Sequence, residues 1–265
     1  MKYEFTDETK IIFGVTLKRI RATVAIEKYN IAAGELGGWI EDEKNLDQSG
    51  DAWVSGDARV YGNAQVCGDA WVCGDARVFS DAQVFGDAQV SDDAQVSGNA
   101  QVSDDAQVSG NAQVCGDARV FGDARVSGDA RVYGNAQVSG DAWVCGDAWV
   151  CGDARVFGDA RVSGNAQVYG DAWEKSPLYI QGTRYAFYMA TANKVGCGCQ
   201  IFTFAGWHKH WRKIAVKFEM TEAEQTEYVS YFNLACERYG KLEFKIDLTD
   251  GSGDEELDEN AEGDE

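Results

Sequence analysis

A mainly β chain, a parallel solenoid followed by a small α+β domain, is predicted by three observations. From Asp51 onward the 265-residue sequence repeats every six residues as Asp/Asn-Ala-Trp/Arg/Gln-Val-x-Gly, where x is Ser, Cys, Phe or Tyr. The third residue of the hexad recurs in a longer order, Trp53, Arg59, Gln65 and then Trp71, Arg77, Gln83, which sets a second period of 18 residues. The array stops before Pro177, the one proline, and a different periodicity takes over.

A six-residue period suits neither a 3.6-residue helix nor a long hairpin. Within each hexad Ala-x-Val alternates inward and outward as a short strand does, and Gly-Asp or Gly-Asn then turns the chain. The inward alanines and valines are buried only if successive strands coil into a prism whose turns stack in parallel. Residues 51–176 therefore form about seven triangular coils, roughly 30 Å of solenoid at the usual strand spacing.

Residues 1–50 read as an N-terminal β cap. Tyr3–Thr6 and Thr16–Ala22 are strand-like, and Leu36-Gly37-Gly38-Trp39-Ile40 leads into the first coil. A cap is needed because a bare solenoid end exposes apolar core and unpaired strand edge. Residues 177–249 read as the α+β domain. Its strands are expected at Leu178–Gln181, Arg184–Met189 and Gln200–Phe204, with an amphipathic helix over Trp207–Lys217. Thr221-Glu222-Ala223-Glu224 is a capping box, followed at helical spacing by Tyr228, Tyr231, Phe232, Ala235 and Tyr239. Leu242, Phe244, Ile246 and Leu248 alternate with polar residues and predict a half-buried strand. Residues 250–265, acidic and without lysine or arginine, form a tail expected to be disordered.

The copies of Val54-Ser55-Gly56-Asp57-Ala58-Arg59 resemble the hexapeptide repeat of left-handed parallel β-helices. That resemblance supplies the left hand, since generic parallel crossovers are right-handed. The opening Lys2–Lys10, the Leu36–Ile40 entry and the near-identical repeats also resemble hexapeptide-repeat proteins of phages and prophages. The likeness is close over residues 1–176 and looser to about Tyr239. It implies a phage accessory protein and carries no settled chemistry with it.

The net charge of −20 divides as −2 over residues 1–50, −11 over 51–176, +2 over 177–249 and −9 over 250–265. Such a surface disfavours direct nucleic-acid or anionic-membrane binding and favours cations or basic partners. No run of about 18 apolar residues offers a membrane span. The start lacks the plan of a secretory signal, so the eight cysteines are expected as reduced thiols in a cytoplasm, that of the host if the gene is phage-borne.

Related hexapeptide β-helices include acyltransferases with a histidine base and carbonic anhydrases with three zinc-binding histidines. The array here has no histidine and no loop insertion. No catalytic residue and no cofactor are therefore expected, and an acetyl-CoA-dependent acyltransferase is kept as an alternative.

The corner aspartates Asp51, Asp69, Asp87, Asp105, Asp123, Asp141 and Asp159 form one column. Turn chemistry explains them, since Asp and Asn bond nearby amides and Asn replaces Asp at 63, 99, 111, 135 and 165. A cation ladder is the rival reading. A second alternative is a DNA mimic that occupies a host DNA-binding protein. Seven outward arginines weaken it, as does the mismatch between the ~4.8 Å coil pitch and the ~3.4 Å phosphate advance.

Outward Trp53, Trp71, Arg125, Trp143 and Arg161 are expected on one face together with Gln89 and Gln107, with Trp149 and Trp173 on the other two. Aromatic and arginine side chains of this kind point to an interaction surface. A homo-oligomer is expected, a trimer by analogy with related β-helices. In the C-terminal domain Trp207, His208, Lys209, His210, Trp211, Arg212 and Lys213 form a basic aromatic segment suited to a small anionic ligand. Cys197, Cys199, His208 and His210 are weak candidates for a metal, because their spacing is not that of a common zinc module and the two histidines diverge on a helix. The function expected is a non-enzymatic binding or scaffold protein that sequesters a host factor or a small signalling molecule against host defence.

Overall fold

The computed structural model describes residues 1–173 and 176–248; the acidic tail lies outside them. The chain divides into two compact units, Met1–Ser176 and Pro177–Glu265.

The first unit is a parallel β-solenoid. Each hexad contributes a strand of two or three residues, from Trp53–Val54 to Ala172–Trp173, and every third strand is hydrogen-bonded to the next in one of three sheets. The predicted register of 18 holds through the interior, with Trp71 opposite Gln89 and Gln107 opposite Arg125. Gln107 N donates to Ala124 O and Arg125 N to Ala142 O, both at 2.9 Å, so the strand amides are satisfied by the next coil. The valines and alanines of these coils have essentially no exposed surface and stack as the core.

Each corner turns through a residue of positive φ, usually glycine. A Cβ on Gly110 would meet the backbone N of Gly128 at 2.9 Å, so a side chain along the axis requires the stacked corners to shift apart. Ser80, Asp92 and Asp104 take the same conformation without being glycine. For the two aspartates the structure shows the compensation: Asp92 and Asp104 accept from Gly110 N and Gly122 N of the following coil, at 3.0 and 3.2 Å. The Asn replacements have a local reason as well. Asn63, Asn99, Asn111 and Asn135 each donate Nδ2 to the aspartate one coil on, at 3.0, 2.8, 2.9 and 2.9 Å, which replaces carboxylate repulsion with a bond.

Both solenoid ends differ from the prediction. Leu36–Ile40 pairs in parallel with Arg59–Val60, and Leu46 bridges Val66, so a partial coil precedes the seven and the solenoid has about eight turns. Its register is 20 residues (Trp39 opposite Arg59), because Asp47–Asp51 holds two residues more than a hexad corner. At the other end Val156 lies opposite Trp173, a register of 17. Asp171 takes the positive φ and Trp173 points inward, 4% exposed, while Ala172 is exposed. The expected outward position of Trp173 is therefore wrong. In the unslipped register Glu174 would hold the valine place, and a one-residue slip exchanges faces and offers the core an indole instead of a carboxylate.

The cap is an antiparallel hairpin, Tyr3–Ile12 with Val15–Ala22, continued by Leu36–Ile40 into one solenoid sheet. The hairpin strands are longer than predicted and meet at Phe13-Gly14, both at positive φ as a tight two-residue turn requires. Gly37 is needed where this sheet crosses the first coil, since a Cβ there would lie 2.8 Å from the Trp53 ring.

The second unit is a four-stranded antiparallel sheet, Tyr179–Gln181, Ala186–Thr191, Lys194–Cys197 and Gln200–Thr203, followed by α1 (Phe204–Lys217) and α2 (Glu222–Arg238). The predicted capping box is formed, with Thr221 Oγ1 accepting from Glu224 N at 3.3 Å and Glu224 Oε2 from Thr221 N at 2.8 Å. Tyr228, Phe232 and Ala235 are buried. The predicted strand at Leu242–Leu248 is not formed. Leu242–Phe244 is a short 3-10 helix, and Asn233 takes both backbone groups of Ile246, at 2.9 and 2.8 Å, in place of a neighbouring strand. Among the described residues no helix is long and apolar enough to cross a membrane.

Candidate functional site

One solenoid sheet carries the outward order Trp53, Trp71, Gln89, Gln107, Arg125, Trp143, Arg161, as the 18-residue period requires. Its two halves are built differently. At the N-terminal half Trp53 is fully buried, so it is not the exposed contact residue expected. The 3-10 turn Glu27–Tyr29 reaches across the next coils: Tyr29 stacks on Trp71 with centroids 5.0 Å apart at 26°, and its hydroxyl donates to Asp69 O. Lys28 bridges the carboxylates of Asp69, at 3.2 Å, and Asp87. The Asp87 carboxylate beside it holds the Lys28 ammonium above the usual lysine range.

Asp69 lies below the usual carboxylate range, first because it accepts from Asp51 N and then because of Lys28. Asp57 is lowered likewise, by the Trp39 indole N–H at 3.3 Å and then by Lys10. A depressed folded-state pKa stabilises above the ordinary value of about 4 and ceases to do so as pH falls through the lower one. Acidification below about pH 4 is thus expected to loosen the Lys28-Tyr29 turn from Trp71 before the solenoid unfolds, while buried Leu17, Ile20 and Ile40 keep the cap strands in place. Intrinsic tryptophan fluorescence should change while far-UV circular dichroism holds; coincident transitions would refute the order.

At the C-terminal half the face is open. Asp123, Arg125, Asp141, Trp143, Asp159 and Arg161 line a cavity of about 230 Å³. Trp143 is 37% exposed, its indole Nε1 donates to Ser127 Oγ at 3.1 Å, and the Arg161 guanidinium lies 5.6 Å from its ring centroid. Trp149 belongs to another sheet, with Arg131 5.1 Å from its ring and Tyr133 edge-on at 6.2 Å.

The C-terminal candidates do not assemble as expected. Trp207 and Trp211 lie on the buried face of α1, 2% and 3% exposed, and the Trp207 indole donates to Val195 O at 2.6 Å. They supply core rather than an aromatic platform beside Lys209, Arg212 and Lys213, because positions i and i+4 share the buried face. His208 is exposed with Nδ1 2.9 Å from Phe244 O, whereas His210 packs toward Phe202. Burial, reinforced by Lys209 and Lys213, lowers the His210 pKa and favours its neutral form. Cys197 is buried in a strand, its thiol pushed up to about 12 by desolvation, while Cys199 is exposed beyond the Gly198 turn. Among the described residues no three His, Cys, Asp or Glu side chains converge to hold a metal. The cleft lined by Cys197, Cys199, Trp207 and Trp211 encloses about 20 Å³, room for a water molecule.

Stacked parallel strands in three sheets, repeated at 18 residues around an alanine and valine core, make this chain a β-solenoid repeat protein. Its coils match the family model described as YdcK Beta solenoid repeat, at residues 52–68, 88–104, 94–110, 112–128, 124–140, 136–152, 148–164 and 154–170. A search of curated proteins returned no match.

Sequence reasoning missed Lys28 and Tyr29. The available signal was a basic residue next to an aromatic one in a cap whose neighbouring solenoid carries the opposite charge. Nothing in the linear pattern says which coil they reach.

Proposed function

We propose that the protein is a non-enzymatic binding scaffold whose solenoid presents the Arg125, Trp143 and Arg161 face to a partner macromolecule. The open cavity in which these side chains interleave with Asp123, Asp141 and Asp159 is the observation that carries this reading. Rigid stacking supports it too, because Arg125 and Trp143 are fixed by the coils on either side and Arg161 by the Trp143 strand. On the phage and prophage resemblance, the partner is a host factor held by a protein acting in the host cytoplasm. Self-association through a second flat face, as a trimer, is part of the same proposal.

The DNA-mimic alternative draws on the seven-aspartate column, but Lys28 spans Asp69 and Asp87, and Arg125 and Arg161 interrupt its far end. The acyltransferase alternative would have to use His208 or His210, outside the coils.

Native mass spectrometry of the full chain purified from its host tests the scaffold. A retained protein partner, lost in Arg125→Ala together with Trp143→Ala, is the expected result. Acetyl-CoA turnover that falls on His208→Ala or His210→Ala would replace the scaffold with the enzyme, and retention indifferent to the double variant would remove the face from the reading.

A further inference from the structure

The solenoid contains the same platform twice, and the chain fills one of the two itself. Trp71 stands between Asp69 and Asp87 and donates its indole N–H to Ser55 Oγ of the preceding coil at 2.9 Å. Four 18-residue coils further on, Trp143 stands between Asp141 and Asp159 and donates to Ser127 Oγ at 3.1 Å. The ring orientation is set by the same bond in both places, and the two carboxylates flank it at the same register. The first platform holds the Lys28-Tyr29 pair, aromatic ring on indole and ammonium between carboxylates. The second has an exposed indole and the 230 Å³ cavity.

We propose that the Trp143 platform docks a segment of a partner polypeptide that presents a basic side chain beside an aromatic one, in the manner of Lys28 and Tyr29. This rests on the scaffold reading and names the chemistry of its partner.

Two substitutions distinguish the second platform from the first. Arg125 stands in the place of Trp53, and Arg161 in that of Gln89. Arg161 already lies over the Trp143 ring, so the indole face attracts a cation, and an incoming aromatic group must share or displace that guanidinium. Two arginines invite the thought of an anionic ligand. Arg125, however, stands between Asp123 and Asp141, Arg161 follows Asp159, the last of the column, and the three carboxylates lining the cavity outnumber the two guanidiniums. The local charge is negative, and it favours the basic partner.

The chain supplies its own probe. Ile26 and Ile31 bond each other's backbone at 3.0 and 3.1 Å, so a cyclic peptide of Ile26-Glu27-Lys28-Tyr29-Asn30-Ile31 keeps the loop that bears the pair. Added to the full-length protein, it is expected to move the Trp143 indole N–H resonance saturably. Trp143→Ala should weaken binding at least tenfold, and a peptide with glutamate in place of Lys28 should not bind. Arg161→Gln, which restores on one side the neighbour Trp71 has in Gln89, should tighten binding at least threefold; it alters only an exposed side chain and introduces a residue the sheet already uses at 89. An unmoved resonance at millimolar peptide, equal binding by wild type and Trp143→Ala, or weaker binding by Arg161→Gln would overturn the proposal. Inorganic phosphate that binds at Trp143 and is lost with Arg161→Gln would replace it with an anion site. Failure here leaves a host partner retained by the full chain as a separate result, so the scaffold reading stands or falls on its own experiment.

Discussion

Val108→Asp is expected to abolish the cooperative unfolding of the solenoid, while Gln107→Asp, one residue earlier, should shift stability by no more than about 1 kcal/mol. Val108 has no exposed surface and lies between Val90 and Val126 in the stack. A carboxylate there has no partner, and its desolvation costs several kcal/mol, a large part of the roughly 5–15 kcal/mol that holds a typical domain. Stacked coils stabilise only their neighbours, so a defect in mid-array breaks the coupling between the two halves. Gln107 is exposed on the same strand, and an aspartate there gains Arg125 as its cross-strand neighbour. Urea unfolding followed by circular dichroism reads both variants. An unchanged single transition in Val108→Asp would contradict the stacked core.

Trp173→Ala should destabilise the C-terminal coils by about 3–5 kcal/mol, the usual cost of emptying a buried aromatic site. Trp173 closes the valine stack above Val156 after the register slips to 17. Without it the last coil presents open core to water, and amide exchange should lose protection at Arg155–Val156 and Arg161–Val162 while coils near Gln89 keep it. Trp173→Phe is the informative companion. The Trp173 indole nitrogen is buried and has no hydrogen-bond partner among the described residues, so phenylalanine removes an unmet donor and keeps most of the apolar volume. It should stay close to wild type. Equal exchange in the alanine variant and the wild type would show that the indole does not cap the stack.

The fold was legible where sequence neighbours and spatial neighbours obey the same period. An 18-residue repeat puts Trp71 beside Gln89, and Arg125 beside Trp143, as soon as three strands per coil are accepted. The outward face of the candidate site follows from that arithmetic alone. The capping box of α2 was legible for a similar reason, since its bonds span three residues. Leu242–Leu248 was misread because alternation specifies a strand only where a partner edge is available; Asn233 supplies the bonds to Ile246 instead.

The sequence by itself determined the repeat length, the inward alanines and valines, the corner chemistry and the column to which each tryptophan and arginine belongs. Tertiary structure decided what happens where the repetition stops. Leu36–Ile40 became a coil, Trp53 was covered, Lys28 and Tyr29 settled on Trp71 with Asp69 and Asp87, and Trp173 turned inward. Inside the array every coil repeats the environment of the last, so local pattern and long-range packing carry the same information. At the ends that symmetry is lost, and the free energy of covering apolar core selects a register and a partner among many that the local pattern permits.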